Sequence, residues 1–244
     1  MIEVKNLKKS FADKVILSDI SFSIPHGQIV AIVGRSGVGK SVLLKCLIGL
    51  TKPDEGTIYL DNKLINSMNF HQLQKIRSQI GMVFQSGALF DSLNVAENIG
   101  LALRKLTKLK DHEIKSRIKD SLDSVDMQNT EELMPGELSG GMKKRIGIAR
   151  AIAVQPSYLF YDEPTTGLDP VMTDSINRLI HKFQDTEKIT SVIITHELRT
   201  VFEVAERVIM LHDGKIEYDG KPNDFEKTEN KIVQQFIKGD STLV

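Results

Sequence analysis

A chain of 244 residues with 41% apolar and 26% charged residues is long enough to bury one large α/β core, or a core with a subdomain. Lys and Arg equal Asp and Glu at 32 each, and a net charge of +0 argues against nucleic acid or an anionic membrane surface as the main partner. No apolar run reaches the ~20 residues of a membrane helix, and Met1-Ile2-Glu3-Val4-Lys5 lacks a signal peptide's apolar region, so a cytoplasmic location is expected.

Ile2 and Val4, then Ile20, Phe22 and Ile24, alternate with polar neighbours and predict half-buried strands. Phe11 falls in the expected loop Ser10-Phe11-Ala12-Asp13, where an aromatic taken alone is more often core than ligand contact. Pro25-His26-Gly27 is a turn into the apolar strand Ile29–Val33. Gly34-Arg35-Ser36-Gly37-Val38-Gly39-Lys40-Ser41 follows, and a helix is expected from Val42. Strand, glycine loop, helix is the context that a phosphate-binding loop requires. Glycines let successive N–H groups converge, and the helix dipole favours an anion there. Lys40 would reach the β- and γ-phosphates, and the Ser41 hydroxyl would ligate Mg²⁺. The single cysteine, Cys46, reads as a small buried residue of this helix, and with scattered histidines it makes no zinc-ligand spacing.

Gly49 marks the end of that helix, and Pro53-Asp54-Glu55-Gly56 reads as a turn before a strand over Thr57–Leu60. Gln72 to Gln79 is expected to be helical, and Ile80–Phe84 a short strand ending at Gln85. From Asn94 to about Val154 the pattern is helical. Ile114, Ile118, Leu122 and Val125 share a face behind an Asp111 cap, and Met142, Ile146, Ala149 and Ala153 share another behind Ser139. Pro135-Gly136-Glu137 breaks the chain between them. Strands return at Tyr158–Tyr161 and Ser191–Ile194, separated by a helix with Ile176, Leu179, Ile180 and Phe183 on one face. A short helix uses Leu198, Val201, Phe202 and Ala205. A hairpin turns at Asp213-Gly214, and the polar last stretch carries Ile232, Val233, Phe236 and Ile237.

Asp162, at the end of an apolar strand, is placed to hold Mg²⁺, and Glu163 to polarise a water for in-line attack. Leu138-Ser139-Gly140-Gly141-Met142 comes before them. Together with the glycine loop, this set resembles the ATP-binding cassette (ABC) ATPases, whose signature has the form LSGGQ. The resemblance spans almost the whole chain, in the family's motif order. It implies an α/β P-loop NTPase fold: a RecA-like core with an antiparallel β subdomain, plus a helical subdomain. On that basis residues 1–225 form the nucleotide-binding domain, with the core at about 1–84 and 156–225 and the helical subdomain at about 85–155. Residues 226–244 form a C-terminal tail.

Further roles come with the resemblance. Ser139, Gly140 and Gly141 would bind the γ-phosphate of ATP held by an opposite subunit, which implies a homodimer. Gln85 looks like the glutamine that contacts Mg²⁺ or water, and Asp169 belongs to the Gly167-Leu168-Asp169 stretch that crosses the dimer interface. His196 looks like the switch histidine on the γ-phosphate. Phe11 matches the aromatic that stacks on adenine, with Ile16 beside it. Met142 departs from the commonest glutamine and cannot offer the same hydrogen bonds, but Ser139 and both glycines are intact, so activity is expected.

The run Gln85-Ser86-Gly87-Ala88-Leu89-Phe90-Asp91-Ser92-Leu93 is similar to ATPases of the Mla/Mce type, which power lipid transport across bacterial envelopes. Many other cassettes place a proline where Asp91 stands. Met142 and the ending Val233-Gln234-Gln235-Phe236-Ile237-Lys238-Gly239 fit that subgroup. The implied partners are a membrane permease and an MCE-domain lipid-binding protein, with the chain peripheral on the cytoplasmic face of the inner membrane. A cassette for amino-acid import or lipoprotein release is the alternative. A soluble cassette acting in DNA repair or translation is a third reading, disfavoured by the neutral charge and the lack of a long insertion. The tail either docks on the neighbouring subunit or ends as a polar stretch with one amphipathic turn.

Overall fold

The computed structural model describes residues 1–239, and the last five residues of the tail lie outside them. The chain separates into two compact units, one of residues 1–76 with 190–244 and the other of residues 77–189.

In the first unit, strands β1 (Ile2–Phe11) and β2 (Lys14–Ile24) pair antiparallel, with Ile2 opposite Ile24 and Val4 opposite Phe22. The period-two apolar residues therefore face each other across the pair, and Ile2, Val4, Ile20 and Ile24 are buried. Strands β4 (Glu55–Leu60) and β5 (Lys63–Leu64) extend this sheet in the order β2-β1-β4-β5. Glu55 and Gly56 are already strand, because the Glu55 backbone pairs with Lys8.

The second sheet of this unit is built on β3 (Ile29–Val33), a continuous buried run flanked by parallel neighbours β8 (Thr190–Ile194) and β9 (Arg207–His212). A strand buried on both faces has no polar alternation, which is why this segment reads as five consecutive apolar residues. Strand β10 (Lys215–Gly220) pairs antiparallel with β9 through the Asp213-Gly214 turn. Helix α1 (Lys40–Leu47) leaves β3 through the glycine loop, and Gly49 follows it with φ 68, its N–H on the Cys46 carbonyl. Helix α2 (Phe70–Arg77) starts two residues before its sequence expectation, because Asn69 and Gln72 cap it reciprocally.

The C-terminal stretch is more ordered than its polarity suggests. Beyond α7 (Leu198–Val204), helices α8 (Pro222–Lys227) and α9 (Lys231–Lys238) close onto the second sheet. Phe225 and Val233 are fully buried in one cluster with Ala31, Val33, Val201, Val208 and Met210. Asn230 caps α9 through the Ile232 and Val233 N–H groups.

In the second unit, β6 (Ile80–Val83) and β7 (Tyr158–Asp162) pair in parallel. Helix α3 (Val95–Leu106) begins with a capping box between Asn94 and Glu97. Helix α4 (Asp111–Ser124) is capped one residue earlier than expected: the N-cap is Lys110, whose N–H donates to the Glu113 carboxylate at 2.6 Å, and Asp111 is the first helical residue. Helix α5 (Gly140–Ile152) packs on α3, α4 and β6; Ile146, Ala149 and the C-cap Ala153 are buried as the stripe predicts, while Met142 is only half-buried. Helix α6 (Pro170–Glu187) buries Ile176, Leu179, Ile180 and Phe183.

Candidate nucleotide site

The phosphate loop connects β3 to α1 in the first unit. Gly34, Gly37 and Gly39 hold φ of 146°, 80° and 108°, a region closed to most side chains. Gly34 has a second constraint, because a Cβ there would stand 2.5 Å from the Leu211 carbonyl oxygen. Gly39 precedes α1 in a left-handed conformation and offers no side-chain cap. A helix start without a side-chain cap is a place where an anion is favoured. Lys40 is only 8% exposed, and its ammonium donates to the Gly34 and Arg35 carbonyls at 2.5 and 3.0 Å. A buried cation beside a glycine-rich helix start is an arrangement that favours an anion. Ser36, Gly37 and Ser41 are exposed.

Ile16 joins this loop, since a Cβ on Gly39 would lie 3.1 Å from the Ile16 Cγ2. Phe11 sits elsewhere than the sequence suggested. It is the last residue of β1 rather than a loop residue, because a two-residue turn at Ala12-Asp13 sets it opposite Lys14. Its ring is 50% exposed with the Lys9 ammonium 5.2 Å from its centre, so it is a presented face and not core. A cleft of about 720 Å³ runs beside the loop, lined by Lys14 to Ile16 and by Arg35 to Val38. His212, Asp213, Gly214, Ile232 and Gln235 complete its wall. Sequence motifs gave no sign of these five residues; the Asp213-Gly214 turn and the amphipathic α9 were visible, but not where they pack. His196, after β8, is half exposed, with its Nε2 3.8 Å from the Glu197 carboxylate.

The second unit holds the remaining predicted residues. Asp162 ends β7, and Glu163 follows with φ 52, an uncommon value for a non-glycine residue and one that re-aims the chain at the strand end. The Thr166 hydroxyl donates to the Glu163 carboxylate at 2.9 Å. Ser139 caps α5, accepting from the Met142 N–H at 3.3 Å, and is exposed together with Gly140. A Cβ on Gly140 would meet nothing within 4 Å, so that surface is open to an incoming group. Lys144 ties this helix to the segment after Glu163, donating to the Thr166 carbonyl at 2.6 Å. Asp169 caps α6 by accepting from the Val171 and Met172 N–H groups. Gln85 is exposed just beyond β6.

Beside Gln85 lies an apolar groove of about 640 Å³, lined among others by Met82, Phe84, Phe90, Leu101 and Leu106. Phe84 and Phe90 are 41% and 54% exposed. Ser41 offers a hydroxyl, Gln85 an amide oxygen and Asp162 a carboxylate. Each is by itself a hard oxygen donor of a type that Mg²⁺ accepts. Among the described residues, no helix is long and apolar enough to cross a membrane.

Comparison with known proteins identifies the family. The family described as ABC transporter matches residues 17–166. The intermembrane phospholipid transport system ATP-binding protein MlaF of Haemophilus influenzae is 35% identical over 99% of this chain and 91% of its own. The methionine import ATP-binding protein MetN of Clostridium tetani is 38% identical over 96% of this chain and 75% of its own. The ATP-binding cassette MJ0796, solved as a dimer in a post-hydrolysis state with ADP and Pi, superposes with a TM-score of 0.83 at 33% identity, covering 91% of this chain and 99% of that one. The chain therefore belongs to the ABC transporter family, as an ATP-binding cassette that hydrolyses ATP.

Proposed function

We propose that this cassette powers lipid transport, phospholipid by chemical class, through a separate membrane permease on whose cytoplasmic face it sits. The observation that carries the reading is the segment after Gln85. Its Gln-Ser-Gly-Ala-Leu-Phe-Asp-Ser-Leu run, with methionine at position 142, is similar to the Mla/Mce type, and the chain as a whole is 35% identical to MlaF. The exposed Phe84 and Phe90 flank an apolar groove in this same segment, a surface suited to a permease's cytoplasmic helix. An MCE-domain protein would be the lipid-binding partner beyond the permease.

Two copies would bind ATP and close head to tail, each completing the other's site with Ser139, Gly140 and Gly141. The uncapped start of α1, with Lys40, would hold the β- and γ-phosphates, and Ile16 and Phe11 the adenosine. Ser41, Gln85 and Asp162 would hold Mg²⁺, which neutralises charge gathering on the phosphate oxygens. Glu163 would take a proton from the attacking water, and His196 would steady the γ-phosphate. Asp169, as the cap of α6, would lie near the dimer contact.

Purifying the cassette with its native permease and identifying co-purified lipid by mass spectrometry tests the substrate. Bound phospholipid, with ATPase activity that rises on lipid addition, is expected. The 38% identity to MetN supports a second reading, methionine import. ATPase activity stimulated by methionine and its binding protein, with no phospholipid retained, would replace the first reading with the second.

A further inference from the structure

The turn that carries Gln85 is fastened to α5, the helix that begins at Ser139. The Gly87 N–H closes the turn on the Phe84 carbonyl at 2.9 Å, so Gln85 and Ser86 form its tip. Arg150, near the end of α5, donates from Nη2 to the Gly87 carbonyl at 2.8 Å and from Nη1 to the Ala88 carbonyl at 2.7 Å. A planar guanidinium fork on two consecutive carbonyls fixes both position and orientation, which a single-point ammonium cannot do. Contact between the backbones backs up the fork. A Cβ on Gly87 would stand 2.6 Å from the Lys143 carbonyl oxygen, and one on Gly147 would stand 3.1 Å from the Gly87 Cα.

Asn98, fully buried, fastens the other end of the segment. Its Oδ1 accepts from the Phe90 N–H at 2.8 Å, and its Nδ2 donates to the Phe90, Leu93 and Asn94 carbonyls at 2.9 to 3.2 Å. Two side chains thus hold backbone groups at both ends of a segment that is neither strand nor helix, and fix its shape.

We propose that Arg150, working through the Gly87–Gly147 contact, is a positioning residue for Gln85 that makes the Gln85 turn and the Ser139 helix move as one body. The proposal rests on the reading of Gln85 as the residue that contacts Mg²⁺ or water, and goes beyond it by naming what aims that side chain. Any displacement of α5 is then passed to Gln85 without slack.

A double-mutant cycle on the purified full-length cassette tests this. Steady-state phosphate release is measured for the wild type, Arg150→Lys, Gln85→Ala and the pair. Lysine reaches one carbonyl only, so Arg150→Lys is expected to lower kcat about tenfold, with KM for ATP changed less than about twofold. In the Gln85→Ala background the same change should cost less than about twofold. An equal loss in both backgrounds, or no loss in the first, overturns the proposal and leaves Arg150 a structural residue. Gly147→Ala supplies an independent probe and decides the matter if Arg150→Lys fails to fold. Its new methyl pushes Gly87 by a few tenths of an ångström, and the resulting fall in kcat should again vanish with Gln85→Ala. An additive Gly147→Ala overturns the proposal as well. A silent Gln85→Ala overturns the reading of Gln85 and takes the clamp with it. An active Gln85 with additive partners removes the clamp alone.

Discussion

The two glycine-rich helix starts of this protein are built to opposite plans. Helix α1 opens after Gly39, at φ 108 and without a side-chain cap, with a buried lysine folded back on its own loop. Helix α5 opens after Ser139, whose hydroxyl caps it through one long hydrogen bond of 3.3 Å while the neighbouring Gly140 faces open space. The first start, with no side-chain cap and with a cation, is the one proposed to receive the phosphates of ATP. The second already has its cap, and its buried cation, Lys144, lies a turn further on and donates to the Thr166 carbonyl of another segment at 2.6 Å. This second start is the one proposed to meet the γ-phosphate of ATP held by the opposite copy. A receptor and a sensor differ in this way, and glycine content alone does not separate them.

Substitutions can break or sharpen that contrast. The largest effect is expected at neither start: Glu163→Gln should reduce phosphate release by about 10²- to 10⁴-fold while ATP binding survives, because only the proton acceptor is lost. Wild-type turnover in this variant would remove Glu163 from the mechanism. Next comes Lys40→Ala, expected to weaken ATP binding by about 10- to 100-fold, the worth of a hydrogen bond to a charged phosphate. Titration with a fluorescent ATP analogue at low protein concentration measures it.

Ser139→Ala draws the contrast most sharply. In dilute cassette, ATP affinity should stay within about twofold of the wild type, while kcat at high protein concentration falls about tenfold. The lost cap should cost about 1 kcal/mol, read as a drop of a few degrees in Tm. If Ser139→Ala weakened ATP binding as much as Lys40→Ala, both starts would be receptors. Phe11→Ala should raise KM for ATP by up to about tenfold with kcat unchanged, the range of one aromatic stacking contact.

The smallest effect lies further along α1. Burial pushes the Cys46 thiol up to about 11. A raised acid is held neutral in the fold, so its stabilising contribution is complete below the ordinary thiol value and is lost as pH climbs toward 11. Folded protein should resist iodoacetamide at pH 8 and alkylate readily in urea, and the urea midpoint should fall slightly between pH 8 and pH 10. Rapid alkylation of folded protein would show that α1 opens locally.

Residues whose chemistry is local were the legible ones. Strand β3, the loop to Ser41, the Ser139 cap and the acids ending β7 each follow from a short window, because period, glycine geometry and capping act within one turn or strand. The Asp111 cap was misplaced by one residue, since Glu113 reaches back to the Lys110 N–H and a lysine gives no capping cue. Phe11 was set in a loop because Ala12, at φ 49, carries no turn signature, yet the Phe11–Lys14 pairing forces a two-residue turn. The C-terminal residues were read as polar. Ile232, Val233, Phe236 and Ile237 are few, but they lie on the face of α9 that meets the second sheet.

By itself the sequence marked a glycine loop of the phosphate-binding kind, the charged residues around it and the Ser139 cap of α5, although it started α1 at Val42, two residues after Lys40, where the helix begins. Those properties depend on neighbours a few positions apart. Only the tertiary structure decided that Ile232 and Gln235, about 190 residues beyond the phosphate loop, line its cleft. It alone placed the Arg150 fork on the carbonyls of Gly87 and Ala88. Contacts at such separation come from the packing of whole elements, and a residue's near neighbours carry no record of that packing.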